Sequence, residues 1–332
     1  MMPKLGEEIR KAPVQLAILF ITLILFLVAN ALFRENPALS FMPPLFGLLI
    51  VFEIIFFVTL EVKEGAVKHG WKHEIVDTVI ALVVALAVWY GASFVLNTNT
   101  PISGVVSCSM LPNLQRGDFV VVQGAPVRAH EISMTPEELA SLNDRAFIDY
   151  NGTVVQLDGS LFPYCIRNRN QSVCRAFIQS PESVVERKGA FTYRYERCPL
   201  AFSNGSTASE PCLKSVTFRG TEYVANFSND IIVYQPAAGD VYSAVGDIVH
   251  RTMFAIDVGG KKYYLTRGDN NPILDIQVYD YGTGFGNTPV SQERTRGKVI
   301  ARIPLLGYFK LFISGYFQED PQCRMQLEFT HN

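Results

Sequence analysis

The 332-residue chain lacks an excess of either charge: 29 Lys and Arg stand against 31 Asp and Glu, for a net charge of −2. That balance argues against a nucleic-acid surface. The six cysteines include no Cys-x-x-Cys pair, and Cys165, Cys174, Cys198 and Cys212 in particular lack the spacing of a zinc site. No Gly-x-Ser-x-Gly run occurs, which excludes the strand–elbow–helix nucleophile of the α/β hydrolases. There is no internal repeat and no low-complexity linker. Histidine is scarce, with five in the whole chain.

What the chain has is apolar length near its start. Val14–Phe33, Leu45–Val62 and Thr78–Leu96 are nearly continuous in Leu, Ile, Val, Phe and Ala. Each is about 18–20 residues, enough to cross roughly 30 Å of hydrocarbon as a helix. The first has no small-residue cleavage motif after it and reads as a retained anchor. Glu53 lies inside the second, where a charge in lipid is costly and predicts a bundle-facing position. Lys4, Arg10 and Lys11 flank the first span, and Lys63, Lys68 and Lys72 lie between the second and third; only Arg34 lies between the first and second. This bias predicts a cytoplasmic N-terminus. Residues 1–97 therefore read as a membrane region and residues 98–332 as an exterior domain of a multi-pass cell-membrane protein.

The exterior part reads mostly as β. Phe119–Gln123, Ile231–Tyr234, Asp247–Ala255, Lys261–Thr266 and Val299–Ile303 carry β-branched and aromatic runs, several bounded by Gly-Asp or Gly-Gly turns. Between them, about 125–229 is a polar, Ser/Asn/Arg-rich insertion. It holds four Asn-x-Ser/Thr sequons, at Asn151, Asn170, Asn204 and Asn226, and four cysteines. Disulfides in an oxidising compartment are the expected state of those cysteines; spacing leaves the pairing open. Thr135-Pro136-Glu137-Glu138 predicts a capped helix start. The apolar segment 305–317, interrupted by Lys310, is short for a span and reads as interfacial.

The chemistry centres on three short boxes. Ser107-Cys108-Ser109-Met110-Leu111-Pro112, followed by Gly117-Asp118, lies just past the third apolar span. A serine nucleophile needs a base within hydrogen-bond reach. His69 and His73 lie in the inner loop and His331 in the tail, which leaves His250, on a strand, as the candidate base, with His130 elsewhere in the β-region. Thr266-Arg267-Gly268-Asp269-Asn270-Asn271 and Asp275 then supply two carboxylates, either of which could hold an imidazole in one tautomer. An Asp-Asn-Asn turn without further acids is weak for calcium.

Taken in order, these boxes resemble the type I signal peptidases. His250-Arg251-Thr252 is similar to the histidine-base motif of the archaeal and endoplasmic-reticulum branch, where bacterial members use lysine. Asn229-Asp230-Ile231-Ile232-Val233-Tyr234 resembles that branch's Gly-Asp-Ile-Val-Val-Tyr strand, and Gly297–Pro304 its final strand. The resemblance covers roughly 104–120 and 230–304. It implies a signal-peptidase-like β-fold and a membrane-bound serine endopeptidase that removes signal peptides from preproteins. It also implies Ser109 as nucleophile, His250 as general base, Asp275 as triad acid and Asp269 as a second functional aspartate. Ser107 and the Ser109 backbone N–H would form the oxyanion hole. No metal or cofactor is called for. The expected partners are preproteins, the lipid bilayer and accessory membrane subunits or a translocon. The chain departs from the pattern in three places: Cys108 stands for the usual Gly, the insertion is long, and there are three spans rather than one. A catalytically silent membrane glycoprotein on the same scaffold is the alternative reading; a self-cleaving repressor would be soluble and use lysine.

Overall fold

A computed structural model describes residues 12–33, 39, 42–304, 306–313 and 320–329. They fall into two compact units, one made of the residues up to Ala92 with Phe312 and Ile313, the other of Ser93–Leu311 with the described residues from Asp320 onward.

The first unit holds α1 (Ala12–Phe33), α2 (Met42–His69) and most of α3 (Trp71–Val95). Among the described residues two helical stretches, Leu45–Lys68 and Trp71–Val95, are long and apolar enough to cross a membrane; Pro13–Phe26 is a shorter apolar helix. The stretch expected as a basic inner loop is helical instead. α2 runs on through Lys63 and Lys68, and only Gly70 separates it from α3. Gly70 has φ of +87°, a left-handed turn that glycine adopts without a Cβ penalty. Glu64 and Lys68 form an i,i+4 ion pair at 2.7 Å, which supports this extra helix. Glu53 accepts a hydrogen bond from Thr22 Oγ1 at 2.8 Å, so its carboxylate faces α1.

The second unit is mostly antiparallel β. Its strands are β1 (Ile102–Gly104), β2 (Phe119–Gln123), β3 (His130–Ser133), β4 (Ala146–Tyr150), β5 (Thr153–Leu157), β6 (Val184–Lys188), β7 (Phe191–Phe202) and β8 (Thr207–Phe218). They continue with β9 (Thr221–Val224), β10 (Ile231–Tyr234), β11 (Ile248–Val258), β12 (Lys261–Arg267), β13 (Tyr279–Asp280), β14 (Phe285–Gly286), β15 (Val290–Ser291), β16 (Thr295–Ile303) and β17 (Met325–Leu327). One sheet runs β1-β2-β16-β10-β11-β12-β15, with β3 added parallel to β11. A second runs β5-β4-β6-β7-β8-β9, with β17 on β7.

The five predicted strands all lie in the first sheet. β2 and β10 have the expected bounds, and β11, β12 and β16 run further. The polar stretch from 125 to 229 carried no predicted strand, yet it builds nearly all of the second sheet. Its signal is the alternation Phe191-Thr-Tyr193-Arg-Tyr195-Glu: the aromatics are buried and the intervening side chains less so, the period of a strand with one face on a core. The two sheets share that core. Phe191 of β7 stacks on Phe254 of β11, ring centroids 6.3 Å apart. Three short helices pack here: α4 (Pro136–Ser141), α5 (Leu161–Arg167) and α6 (Ser172–Gln179). α4 has the predicted capping box, Thr135 with Glu138. Of the segment 305–317, Leu305 and residues 314–317 lie outside the described residues; Tyr308–Ile313 form a short helix, α7.

Three disulfides cross-link the unit. Cys165–Cys174 ties α5 to α6 and Cys198–Cys212 ties β7 to β8. Cys108–Cys323 joins residues 215 positions apart. The last explains the departure at Cys108: the side chain is not a free thiol beside Ser109 but half of a cross-link.

Candidate active site

Ser109 sits in a turn after β1, and His250 on β11 in the middle of the first sheet. Flanked by β10 and β12, β11 gives the imidazole a rigid backbone. Ser109 Oγ lies 2.9 Å from His250 Nε2. His250 Nδ1 lies 2.7 Å from Asp275 Oδ2. All three residues are buried. With an ionised carboxylate at Nδ1, that nitrogen carries the hydrogen and Nε2 is left to accept from the serine hydroxyl.

Asp275 opens a one-turn helix after the Gly-Asp-Asn-Asn box. Its Oδ2 also accepts from Thr266 Oγ1 at 2.6 Å and from Tyr234 O–H at 3.1 Å. Burial, then the charge of Asp275, hold the Tyr234 phenol well above its ordinary range, so it remains a donor. Asn287 Nδ2 donates to the Asp275 main-chain carbonyl at 3.0 Å and fixes the turn. Asp275 Oδ1 has no hydrogen-bond partner among the described residues.

The second predicted aspartate is elsewhere. Asp269 accepts from Arg251 through both carboxylate oxygens, at 2.7 Å each, and from Asn113 Nδ2 at 2.8 Å. Arg251 follows His250 directly, and neighbouring strand residues point to opposite faces. His250 therefore meets Ser109 and Asp275 while Arg251 meets Asp269. Arg251 Nη1 also donates to the Asn229 carbonyl at 2.7 Å. The Asn229 side-chain amide donates to the carbonyls of Thr252 and Met253 at 2.9 and 3.1 Å, where the β11–β12 register shifts. That is a use for Asn where the resemblance has Gly.

Ser107 Oγ lies 3.1 Å from Ser109 Oγ. The turn bearing Ser109 is pinned from behind by residues of the third box. Asn270 N donates to the Ser109 carbonyl at 2.7 Å, and Asn270 Nδ2 to the Cys108 carbonyl at 3.2 Å. A Cβ on Gly268 would stand 2.5 Å from the Ser109 carbonyl oxygen, so only glycine lets the chains approach this closely. Asn270 also bonds β17: its Nδ2 donates to Met325 O at 2.9 Å, and its Oδ1 accepts from Leu327 N at 2.7 Å. Sequence reasoning assigned Asn270 no role; its place inside the Gly-Asp-Asn-Asn box was the available signal.

A cleft of about 220 Å³ opens onto Ser109 and His250, walled by Val105, Val106, Ile248 and Tyr242, with Asn271 and Gln322 as polar border residues. Among the described residues, the one cluster of metal-type ligands is Glu196, Cys198 and Cys212. Its two sulfurs are spent in a disulfide and cannot act as thiolate ligands.

No protein-family model matches the chain. It is 32% identical over 85 residues to a signal peptidase complex catalytic subunit sec11 of Sclerotinia sclerotiorum, covering 26% of this chain and 44% of the relative. It is 29% identical over 85 residues to the corresponding subunit of Verticillium alfalfae, with the same coverage. The protein of that name from Colletotrichum graminicola is 30% identical over 87 residues, covering 26% of this chain and 45% of its own length. The chain spans less than half the length of these curated relatives. This partial similarity supports a relationship to the signal peptidase family.

Proposed function

We propose that the protein is a membrane-bound serine endopeptidase of the histidine-base branch that removes signal peptides from exported preproteins. The observation that carries the reading is the chain of contacts from Ser109 Oγ through His250 to Asp275, on a Ser-x-Ser-Met-x-Pro turn beside a cleft. His250 takes the hydroxyl proton as Ser109 attacks the scissile carbonyl. Asp275 stabilises the imidazolium and keeps its ring in register. The Ser109 backbone N–H and the Ser107 hydroxyl receive the developing oxyanion. The imidazolium protonates the leaving amine, and neutral His250 then activates water for deacylation. Apolar Val105, Val106 and Ile248 suit small apolar side chains ahead of the scissile bond, in an extended peptide that adds to a strand edge.

The partners in this reading are preproteins, the bilayer, and accessory membrane subunits or a translocon, as the relatives' name as subunits of a complex suggests. The membrane helices anchor the enzyme with its N-terminus cytoplasmic and residues 98–332 on the exterior face. The disulfides and the four exposed sequon asparagines suit an oxidising compartment.

The test is detergent-solubilised wild type against Ser109→Ala, assayed on a preprotein with a standard signal peptide. Cleavage by wild type alone supports the reading. No cleavage by wild type would return the chain to the catalytically silent alternative.

A further inference from the structure

Beside the cleft lies a larger groove of about 610 Å³, which the catalytic contacts leave unused. α5, α6, β7 and β8 of the 125–229 stretch supply most of its wall, and Asn270, Pro272 and the strap 320–329 supply the rest. Gln322 lines both the groove and the cleft. The adjacent residues Asn270 and Asn271 divide between the two, one lining each. The groove therefore continues the cleft past Gln322.

Three features fit this groove to a polypeptide. It presents apolar side chains that water still reaches: Ile166 is 59% exposed and Ile178 39% exposed. Side chains this accessible gain by being covered. Glu210 and Arg169 also line it, and neither side chain has a hydrogen bond or ion pair among the described residues. Burial holds the Glu210 carboxyl above its ordinary range, a cost that a main-chain N–H brought against it would offset. The walls are also fixed relative to the nucleophile. Cys108–Cys323 ties the strap to the residue before Ser109. Gln322 Nε2 donates to Asn270 O at 3.2 Å and Asn271 Oδ1 at 2.8 Å. Phe329 lies under the Arg267 guanidinium at 4.2 Å.

The side of the scissile bond follows from the cleft. Its strand-like walls, Gly104–Val106 and Asp247–Val249, are where an extended acyl portion can add main-chain hydrogen bonds. A chain lying there and crossing Ser109 leaves by Gln322. We propose that this groove is an extended subsite that binds the polypeptide downstream of the scissile bond, the leaving-group portion of the substrate, through apolar side chains and main-chain amides. The proposal rests on the peptidase reading for its substrate.

The experiment uses the full chain in detergent and two peptides identical up to the scissile bond. One carries two residues beyond it and the other about twelve, roughly 40 Å of extended chain. Affinity is read on Ser109→Ala protein and kcat/KM on wild type. The long peptide should bind and be cut about tenfold better, a difference of about 1.4 kcal/mol. Ile178→Asp, and separately the milder Ile166→Ser, should bring that ratio toward one, with thermal melts confirming that both variants fold. Equal affinity for the two peptides, or a ratio untouched by both substitutions, overturns the groove. Discrimination in binding without any cleavage by wild type would overturn the peptidase reading and leave the groove standing.

Discussion

Arg251 grips Asp269 with two guanidinium nitrogens, each 2.7 Å from a carboxylate oxygen, while the histidine one residue earlier bonds to Asp275. One dipeptide thus serves two carboxylates on opposite faces of a strand. The two aspartates, indistinguishable as partners from spacing, have different surroundings, and their substitutions should fail differently.

Asp275→Asn should lower kcat by up to about 10⁴ while the protein stays folded. An amide there favours the wrong imidazole tautomer and removes the charge opposite the imidazolium, as in the best-studied triad. Asp269→Asn should leave catalysis by the folded fraction closer to wild type and lower stability by about 3–5 kcal/mol, because it strands a buried guanidinium. Thermal melts and kinetics on one peptide separate the two, and a larger kcat loss for Asp269→Asn would reverse the assignment.

Ser109→Ala and His250→Ala should each cost about 10⁴ or more in kcat, and the double variant little beyond either, since members of one catalytic unit are not additive. Normal processing by either single variant would rule out the nucleophile–base pair.

His250→Lys should not recover wild-type turnover at neutral pH. A lysine base must be neutral, and the Asp275 carboxylate would hold it charged. Full activity at pH 7 would mean that Asp275 does not control this position.

Protein recovered from its native membrane should contain no free thiol, and intact mass before and after reduction and alkylation should report three disulfides. Loss of Cys108–Cys323 through the paired substitution to serine should lower stability by about 2–5 kcal/mol. Six alkylated cysteines without prior reduction would contradict the exterior location.

Glu186, fully buried on β6, gives a pH-dependent prediction. Burial pushes its carboxyl above the ordinary range, against a hydrogen bond from Tyr195 and the attraction of Lys188. A carboxyl raised in the folded state contributes stability in acid, and that contribution is lost as pH rises through the folded value. Glu186→Gln should therefore melt with wild type near pH 4 and above it near pH 8. A variant less stable than wild type near pH 8 would show that an ionised Glu186–Lys188 pair outweighs the burial cost.

How far the sequence carried can be judged residue by residue. The Ser109 box, the strand bearing His250 and the helix start at Thr135 were legible because each depends on local pattern. β7 was written just as plainly in alternating aromatics, but its arginines and glutamate gave the stretch a polar average that masked the period. The choice between Asp275 and Asp269 was not local, since it turns on which face of β12 and the following turn meets β11. The partner of Cys108 was out of reach for the same reason: the path of β17 along β7 brings Cys323 back beside the Ser109 turn.

That cross-link has a consequence for biosynthesis. The turn bearing Ser109 is held by Cys323 and, through Asn270, by Met325 and Leu327, all made more than 200 residues after it. A ribosome that has finished Ser109, His250 and Asp275 has still not supplied the residues that hold the Ser109 turn in place. The Ser109 turn therefore stays without these braces until residues 323–327 have been made and the Cys108–Cys323 bond has closed.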